Sequence, residues 1–165
     1  MFSLKNSWGD HKIFSYSIDK HPFIKFFKDI YNEEKLESLY LKSSDYHYLK
    51  DKLHLGGLNE IDTDLHSIFY KEIKSNNKFK ELYCNFIKDI YDFFFPDEKF
   101  MIYQSFPSIR FQFMDSVTIP PHKDSDSISN HPIGEKNFLI PITKMKNTNS
   151  IYIESQPDKK DFKSI

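Results

Sequence analysis

The chain has 165 residues and a mass of 19.8 kDa, a size that favours one domain and leaves little room for two independent cores. Its 23 basic and 24 acidic residues give a net charge of -1, which argues against a dense basic surface for nucleic acid. Because the single Cys84 cannot form an internal disulfide and no stretch reaches the roughly 18 apolar residues of a membrane helix, we expect a cytoplasmic protein with no membrane partner.

Helical spacing dominates the first part of the chain. Residues 1–20 mix aromatic and polar side chains without a clear period, and we interpret them as an irregular lead-in or a short strand. Apolar residues at 23–31 recur at the spacing of one helix face, and a second short helix is predicted at 33–41. The pattern breaks up over 46–58 and ends in a glycine pair, which indicates a loop.

Two further helices are predicted before the chain changes character. Asp62 or Asp64 can cap the first of them. The second, at 78–95, holds the apolar spacing of one helix face throughout and is stopped by Pro96. We expect its aromatic stripe to be core, and Cys84, which lies on this helix, to be buried and unreactive.

From residue 100 onward the apolar period shortens towards two. Strands are predicted at 100–106, 109–119, 137–143 and 150–155. Helices that come first and strands that come later indicate an α+β fold rather than alternating βαβ units. The chain is therefore divided into a mainly helical N-terminal support region, 1–98, and a strand-rich region, 99–165, within one domain.

The segment IPPHKDSD at 119–126 carries a candidate metal-binding pair. In an extended backbone the side chains of His122 and Asp124 point to the same side, while Lys123 points away. Two histidines and one carboxylate on one face of an octahedron bind non-haem Fe(II) and leave positions open for a cosubstrate and dioxygen. The pair supplies half of such a set, and the alternative for an isolated H-x-D is a surface turn with a His–Asp hydrogen bond.

Arg110 is the only arginine in the chain, and it lies on the predicted strand that leads to this pair. A planar guanidinium suits a carboxylate better than an ammonium does, so Arg110 is a candidate anchor for an acidic ligand. The alternative is a surface arginine that packs on Phe111 or Phe113. His131 is expected at the surface rather than as a third ligand.

Four motifs follow one another between Phe106 and Ser155: PSIRFQF, IPPHKDSD, HPIGEKNFLIPIT and IYIES. In this order and at this spacing they resemble the iron and 2-oxoglutarate-dependent oxygenase superfamily, and more narrowly the subgroup associated with streptomycin-type biosynthesis proteins. The resemblance covers roughly the last third of the chain, and the helical part matches only in general character. It implies N-terminal helices packed on a double-stranded β-helix, a jelly roll of antiparallel strands.

The resemblance also implies roles for particular residues. His122 and Asp124 become iron ligands, and Arg110, Gln112 and Asn137 become contacts to 2-oxoglutarate or to the substrate. The implied cofactors are Fe(II) and 2-oxoglutarate. The implied reaction couples oxidative decarboxylation of 2-oxoglutarate to hydroxylation of a small-molecule substrate.

The chain contains no histidine after His131, and it offers only part of the strands of a full jelly roll. We expect it to be a truncated part of a longer oxygenase. Two alternatives stay open: a second copy or a partner chain completes the sheet, or the chain is a catalytically inactive binding module of the same fold.

Overall fold

The computed structural model describes residues 2–49, 63–113, 131–132, 134–146 and 149–164, excluding the side chains of 47–49. Over these residues the chain is a mixed α+β protein with two small antiparallel sheets. Its elements, in chain order, are β1 (Ser3–Trp8), β2 (His11–Ser15), α1 (Phe23–Tyr31), a 3-10 helix (Leu36–Lys42), α2 (Ser44–Leu49), α3 (Asp64–Ser75), α4 (Asn77–Phe94), β3 (Tyr152–Ile153) and β4 (Lys163–Ser164). Of the helices within these ranges, none combines the length and the apolar character needed to cross a bilayer.

The first residues form a β-hairpin, which is more regular than the lead-in or short strand predicted there. Strand β1 pairs antiparallel with β2, and Trp8 lies opposite His11. Gly9 and Asp10 form the turn, and Gly9 adopts a φ of +57° that glycine tolerates best. The sequence signal that was missed is this Gly-Asp pair, because both faces of the hairpin are largely exposed and the alternation around it is weak.

The helices lie close to their predicted positions, with two corrections. The short helix predicted at 33–41 is a 3-10 helix that begins at Leu36 and ends at Lys42. Helix α1 follows Pro22, α3 begins at Asp64, and α4 begins after Asn76, whose side chain accepts a hydrogen bond from the Phe79 amide. The predicted loop at 46–58 was wrong at its start, because 44–49 form the short helix α2. Residues 50–62, including the possible cap Asp62, lie outside the described residues.

The starts of α2 and α3 cap each other. The Asp64 carboxylate accepts hydrogen bonds from the Ser43 hydroxyl at 2.6 Å and from the Ser44 amide at 2.8 Å, both at the start of α2. In return, the Asp45 carboxylate accepts the Asp64 amide at 2.6 Å, at the start of α3. Burial raises the pKa of Asp64, but the hydrogen bonds from Ser43, Ser44 and Leu65 outweigh it and leave this pKa below its usual value.

The core consists mainly of aromatic rings from α1, α3 and α4. Phe27 stacks on Phe69 with ring centroids 5.4 Å apart, and Phe86 meets Phe23 edge to face at 5.1 Å. Each large apolar side chain buried in this way contributes about 1.5–3 kcal/mol. The predicted core stripe of α4 is confirmed at Phe79, Phe86 and Ile90. The prediction that Cys84 is buried was wrong, since its side chain is exposed.

After α4 the chain reverses and returns over the helices. The Tyr83 hydroxyl donates to the Gln104 carbonyl at 2.8 Å, and the Ile109 amide donates to the Tyr70 hydroxyl at 3.4 Å. The strands predicted at 100–106 and 137–143 are absent from these described segments.

Within the predicted strand at 150–155, only Tyr152–Ile153 is a strand, and it pairs with β4. The described residues thus support the α+β class and contain two-stranded sheets only, so they do not show the jelly roll. For the strand predicted at 109–119, the described part, 109–113, pairs with no strand within the described ranges, and residues beyond 113 lie outside them.

The two ends of the described chain meet at the hairpin turns. The Asp10 amide donates to the Ser155 carbonyl at 3.1 Å, and His11 Nε2 donates to the Glu154 carbonyl at 2.9 Å. Lys163 lies 4.8 Å from the centre of the Trp8 ring, as a cation–π contact. Gly9 lies so close to Ser155 that a Cβ atom on it would stand 1.8 Å from the Ser155 carbonyl oxygen.

Replacing Gly9 by alanine is expected to separate these ends. The new Cβ would overlap backbone atoms of Ser155 and would also require a positive φ, so we expect Gly9→Ala to lower the free energy of unfolding by at least about 2 kcal/mol. The control is Gly134→Ala, which has a φ of +90° but, among the described residues, no atom within 4 Å of the added Cβ. Equal losses in urea unfolding for the two variants would contradict the close contact.

Removing the Asp64 charge is expected to change how stability depends on pH. Because the folded pKa of Asp64 lies below the unfolded value of about 3.9, its hydrogen bonds stabilise the fold above that pH and the stabilisation is lost as the pH falls through the folded pKa. Asp64→Asn should therefore cost about 1 kcal/mol at neutral pH, because both carboxylate oxygens accept hydrogen bonds and one of them would be replaced by an NH2 donor. It should also flatten the loss of unfolding free energy between about pH 5 and pH 2.

The measurement is urea unfolding over this pH range. Asp97→Asn, at an exposed carboxylate in the turn after α4, serves as the control and should follow the wild-type curve. A wild-type slope for Asp64→Asn would contradict the mutual capping.

Candidate functional site

The predicted iron ligands His122 and Asp124 lie outside the described residues, so their geometry stays a prediction. The described ranges by themselves contain no group of three His, Cys, Asp or Glu side chains that could hold a metal ion. Arg110, Gln112 and Asn137, the predicted contacts to 2-oxoglutarate or substrate, are all described. The candidate site is therefore built from these three residues.

Residues 107–113 alternate strictly between two environments. The odd-numbered residues are half-buried or buried, ending at Phe113 with only 3% of its surface exposed, while the even-numbered ones are exposed. A period of two is the mark of an extended backbone with one face on a core. Arg110 and Gln112 consequently share the outward face of this extended segment.

Three contacts fix the inward face of this segment on the helices. The Phe111 ring meets Tyr31 of α1 edge to face at 5.9 Å and His66 of α3 at 4.8 Å. Phe113 stacks on Tyr46 of α2 at 5.8 Å with an angle of 10° between the rings. The alternative in which Arg110 packs on Phe111 or Phe113 is not favoured, because both rings lie against the helices.

The Phe111 ring packs against the buried imidazole of His66. His66 is only 1% exposed, and its Nδ1 hydrogen-bonds the Thr63 hydroxyl at 2.7 Å. The Tyr31 hydroxyl donates to the Leu65 carbonyl at 2.8 Å. Burial, followed by the nearby Asp64 charge, raises the pKa of Tyr31 strongly, so this hydroxyl remains a donor at physiological pH.

Sequence reasoning missed these supporting residues. The available signal was Thr63-x-x-His66 at the start of a helix, which has the N-cap to N3 spacing of a capping box with His in place of Glu or Gln. For Tyr31, the sequence indicated burial on the apolar face of α1 but gave no partner for its hydroxyl.

Asn137 lies elsewhere on the described structure. It is exposed and precedes Phe138, whose ring is 5.4 Å from Phe94 and 6.3 Å from Phe95 at the end of α4. Asn137 is thus placed beside the carboxyl end of α4, whereas Phe111 holds the Arg110 segment against α1 and α3. Arg110, Gln112 and Asn137 each have interaction partners in the structure.

His131 is exposed, as predicted. Its Nδ1 lies 2.7 Å from the Glu135 carboxylate, and the Glu135 amide donates to the Pro132 carbonyl at 3.2 Å. The turn includes Gly134 at a φ of +90°. His131 is therefore engaged in a surface ion pair or hydrogen bond with Glu135 within its own turn.

A second buried histidine, His21, was not singled out from the sequence. Its Nε2 donates to the Asp89 carboxylate at 2.7 Å, and Lys20 donates to the same carboxylate at 2.7 Å. Hydrogen bonds from Lys20 and His21 lower the pKa of Asp89. The His21 ring packs on Phe86 at 5.0 Å. His21 therefore links the residues just before α1 to α4, which is a structural role.

Compared with protein-family models, with curated proteins and with solved structures, the chain matches none of them. Any function proposed for it therefore rests on its own sequence motifs and on the geometry described above.

The two faces of the 107–113 segment should respond differently to truncation. Phe113→Ala removes a buried ring stacked on Tyr46 and should cost about 3 kcal/mol of unfolding free energy. Gln112→Ala, at the exposed neighbouring position, should cost less than about 1 kcal/mol. Chemical unfolding of both variants checks this, and a larger loss for Gln112→Ala would contradict the assignment of the faces.

Proposed function

We propose that the chain is a non-haem Fe(II)- and 2-oxoglutarate-dependent oxygenase, or a part of one, that hydroxylates a small biosynthetic substrate. The observation that carries the proposal is the H-x-D pair at His122 and Asp124 within an ordered series of motifs that resembles this superfamily. The finer fold that goes with it is a jelly roll supported by the N-terminal helices. With one cysteine and no internal disulfide, the cytoplasm is the proposed location.

The donor chemistry of the pair fits the metal. An imidazole nitrogen and a carboxylate oxygen are two of the three groups in the facial set that binds Fe(II) in such enzymes. Fe(II) binds weakly among the divalent metals, so two protein ligands give a detectable but weaker site than a complete set with a third donor. We propose that this donor comes from a longer form of the chain or from a partner subunit.

Arg110 is proposed as the anchor for a carboxylate of 2-oxoglutarate. Its guanidinium offers two parallel N–H donors, which match the two oxygens of a carboxylate. The contacts of Phe111 and Phe113 with the helices hold the backbone that follows this residue. The residue before it, Ile109, is held by its amide hydrogen bond to the Tyr70 hydroxyl. Gln112 is proposed as a neighbouring polar contact on the same face, and Asn137 as a contact to cosubstrate or substrate.

Bound Fe(II) supplies the activation of dioxygen that is coupled to decarboxylation of 2-oxoglutarate. The residues of this chain contribute binding and orientation. The lone guanidinium fixes the acid, and the aromatic support of its segment limits movement of that anchor.

A second candidate function is a catalytically inactive binding module whose sheet is completed by another chain. It is favoured by the large apolar side chains that stay exposed after α4, including Phe100 and Ile102. Such a module would bind its partner without iron. The two functions are separated by whether metal binding depends on His122 and Asp124.

Metal titration tests the oxygenase proposal. Under anaerobic conditions, calorimetry should detect an Fe(II) site that weakens at least about tenfold in His122→Ala and in Asp124→Ala. His131→Ala is the matched control, because this nearby histidine pairs with Glu135 and should leave metal binding unchanged. No Fe(II) binding by the wild-type chain, or equal binding by all three variants, would contradict the proposal.

The same titration with 2-oxoglutarate present tests the anchor. The acid should tighten Fe(II) binding in the wild-type chain, and Arg110→Ala should abolish the tightening while leaving the metal site itself intact. Arg110→Lys should restore only part of the effect, because an ammonium lacks the paired donors. An unchanged effect of 2-oxoglutarate in Arg110→Ala would remove Arg110 from the site.

A further inference from the structure

The return segment after α4 carries a group of exposed apolar side chains. Phe100 is 74% exposed and Ile102 is 89% exposed, and Tyr103 and Phe106 are also exposed. These four residues are called the 100–106 patch. Such a concentration of uncovered apolar surface within seven residues is comparable to the largest apolar patch of a typical monomer, and patches of that size are often interaction sites.

The backbone that carries the patch is hydrogen-bonded to side chains of α4. The Gln104 carbonyl accepts the Tyr83 hydroxyl at 2.8 Å, and the Tyr103 ring contacts the Tyr83 ring at 6.4 Å. Nearer α4, the Glu98 carbonyl accepts the Tyr91 hydroxyl. The segment is thus held on α4 at both ends, and the patch is presented by a supported backbone.

The charge pattern favours contact between identical surfaces. No charged residue occurs between Lys99 and Arg110, so the patch residues themselves bring no like charges into a contact between two copies. The chain as a whole has a net charge of -1, so long-range repulsion between copies is small. A partner selected by charge would need charged groups in the patch, and the patch has none.

The area is sufficient for a weak dimer. Taking about 200 Å² for a large side chain, the exposed fractions of the four patch residues amount to roughly 500 Å² per copy. Two copies would bury about 1,000 Å² in total, which is the lower limit for a specific interface. The area thus matches a reversible association rather than a permanent one.

We propose that the 100–106 patch is the contact surface of a symmetric dimer of this chain. A two-fold axis that passes near Ile102 sets this residue against its counterpart in the second copy, which closes the contact and leaves no free patch. The dimer needs neither metal nor 2-oxoglutarate, so it is independent of the proposed oxygenase activity.

Sedimentation velocity over about 1 to 500 µM protein, without added metal, tests the dimer. The wild-type chain should change from monomer to dimer with a dissociation constant in the micromolar range. Ile102→Asp should raise that constant at least tenfold, because each dimer carries the substitution twice. High salt should not dissociate the wild-type dimer, since the patch is uncharged.

Ile18→Asp is the matched control, because Ile18 is 61% exposed but lies before α1, outside the patch. It should dimerise as the wild type does, and circular dichroism should show that both variants are folded. A wild-type chain that stays monomeric throughout would overturn the proposal and leave the patch to a different partner. A dimer that Ile102→Asp does not weaken, or growth beyond the dimer, would overturn it as well.

Discussion

The edge-to-face contact of Phe111 with Tyr31 and His66 is the interaction on which the candidate site depends. It fixes an extended segment on the helical core, and the alternation of the backbone then sends Arg110 and Gln112 to the opposite side. The polar groups beneath the ring are themselves hydrogen-bonded, through Thr63 and the Leu65 carbonyl. The position of a surface guanidinium is in this way determined by buried aromatic packing.

Hydrogen bonds between the starts of α2 and α3 reinforce this packing. Asp64 caps α2 and Asp45 caps α3, so the two helices that contribute Tyr46 and His66 are tied to each other by carboxylates. These carboxylates contribute strongly to the stability of the helix starts because they are partly removed from water and accept several hydrogen bonds at once. Helices α2 and α3, against which the 107–113 segment packs, are therefore linked to each other by hydrogen bonds and do not pack independently.

The helical half of the chain was predictable from sequence because aromatic residues that recur every 3.6 positions line one helix face. That face is stable only when it is buried against the apolar faces of other helices. The approximate limits of α1 and α4 followed from this periodicity, together with the stop at Pro96. Predictions at 100–106 failed because a pattern of period two requires a pairing strand, and pairing is a long-range property that composition does not encode. Cys84 was misplaced since it lies beside the apolar stripe of α4 and not on it. The N-terminal hairpin was missed because its faces are mostly exposed. The relation of His122 and Asp124 to Arg110 remains a prediction.

The contact between the Gly9 turn and the Ser155 turn has a consequence for how the molecule is assembled. The two residues of the His11–Glu154 hydrogen bond are 143 positions apart in the chain. Forming this contact therefore carries the entropy cost of closing a very long loop. The helical core, which relies on contacts between nearer residues, can form first on the ribosome. The amino-terminal hairpin can pack on α4 through Phe2 and Phe14, but its turn must wait for residues near 155 to be synthesised, so joining the two turns becomes a late step of folding.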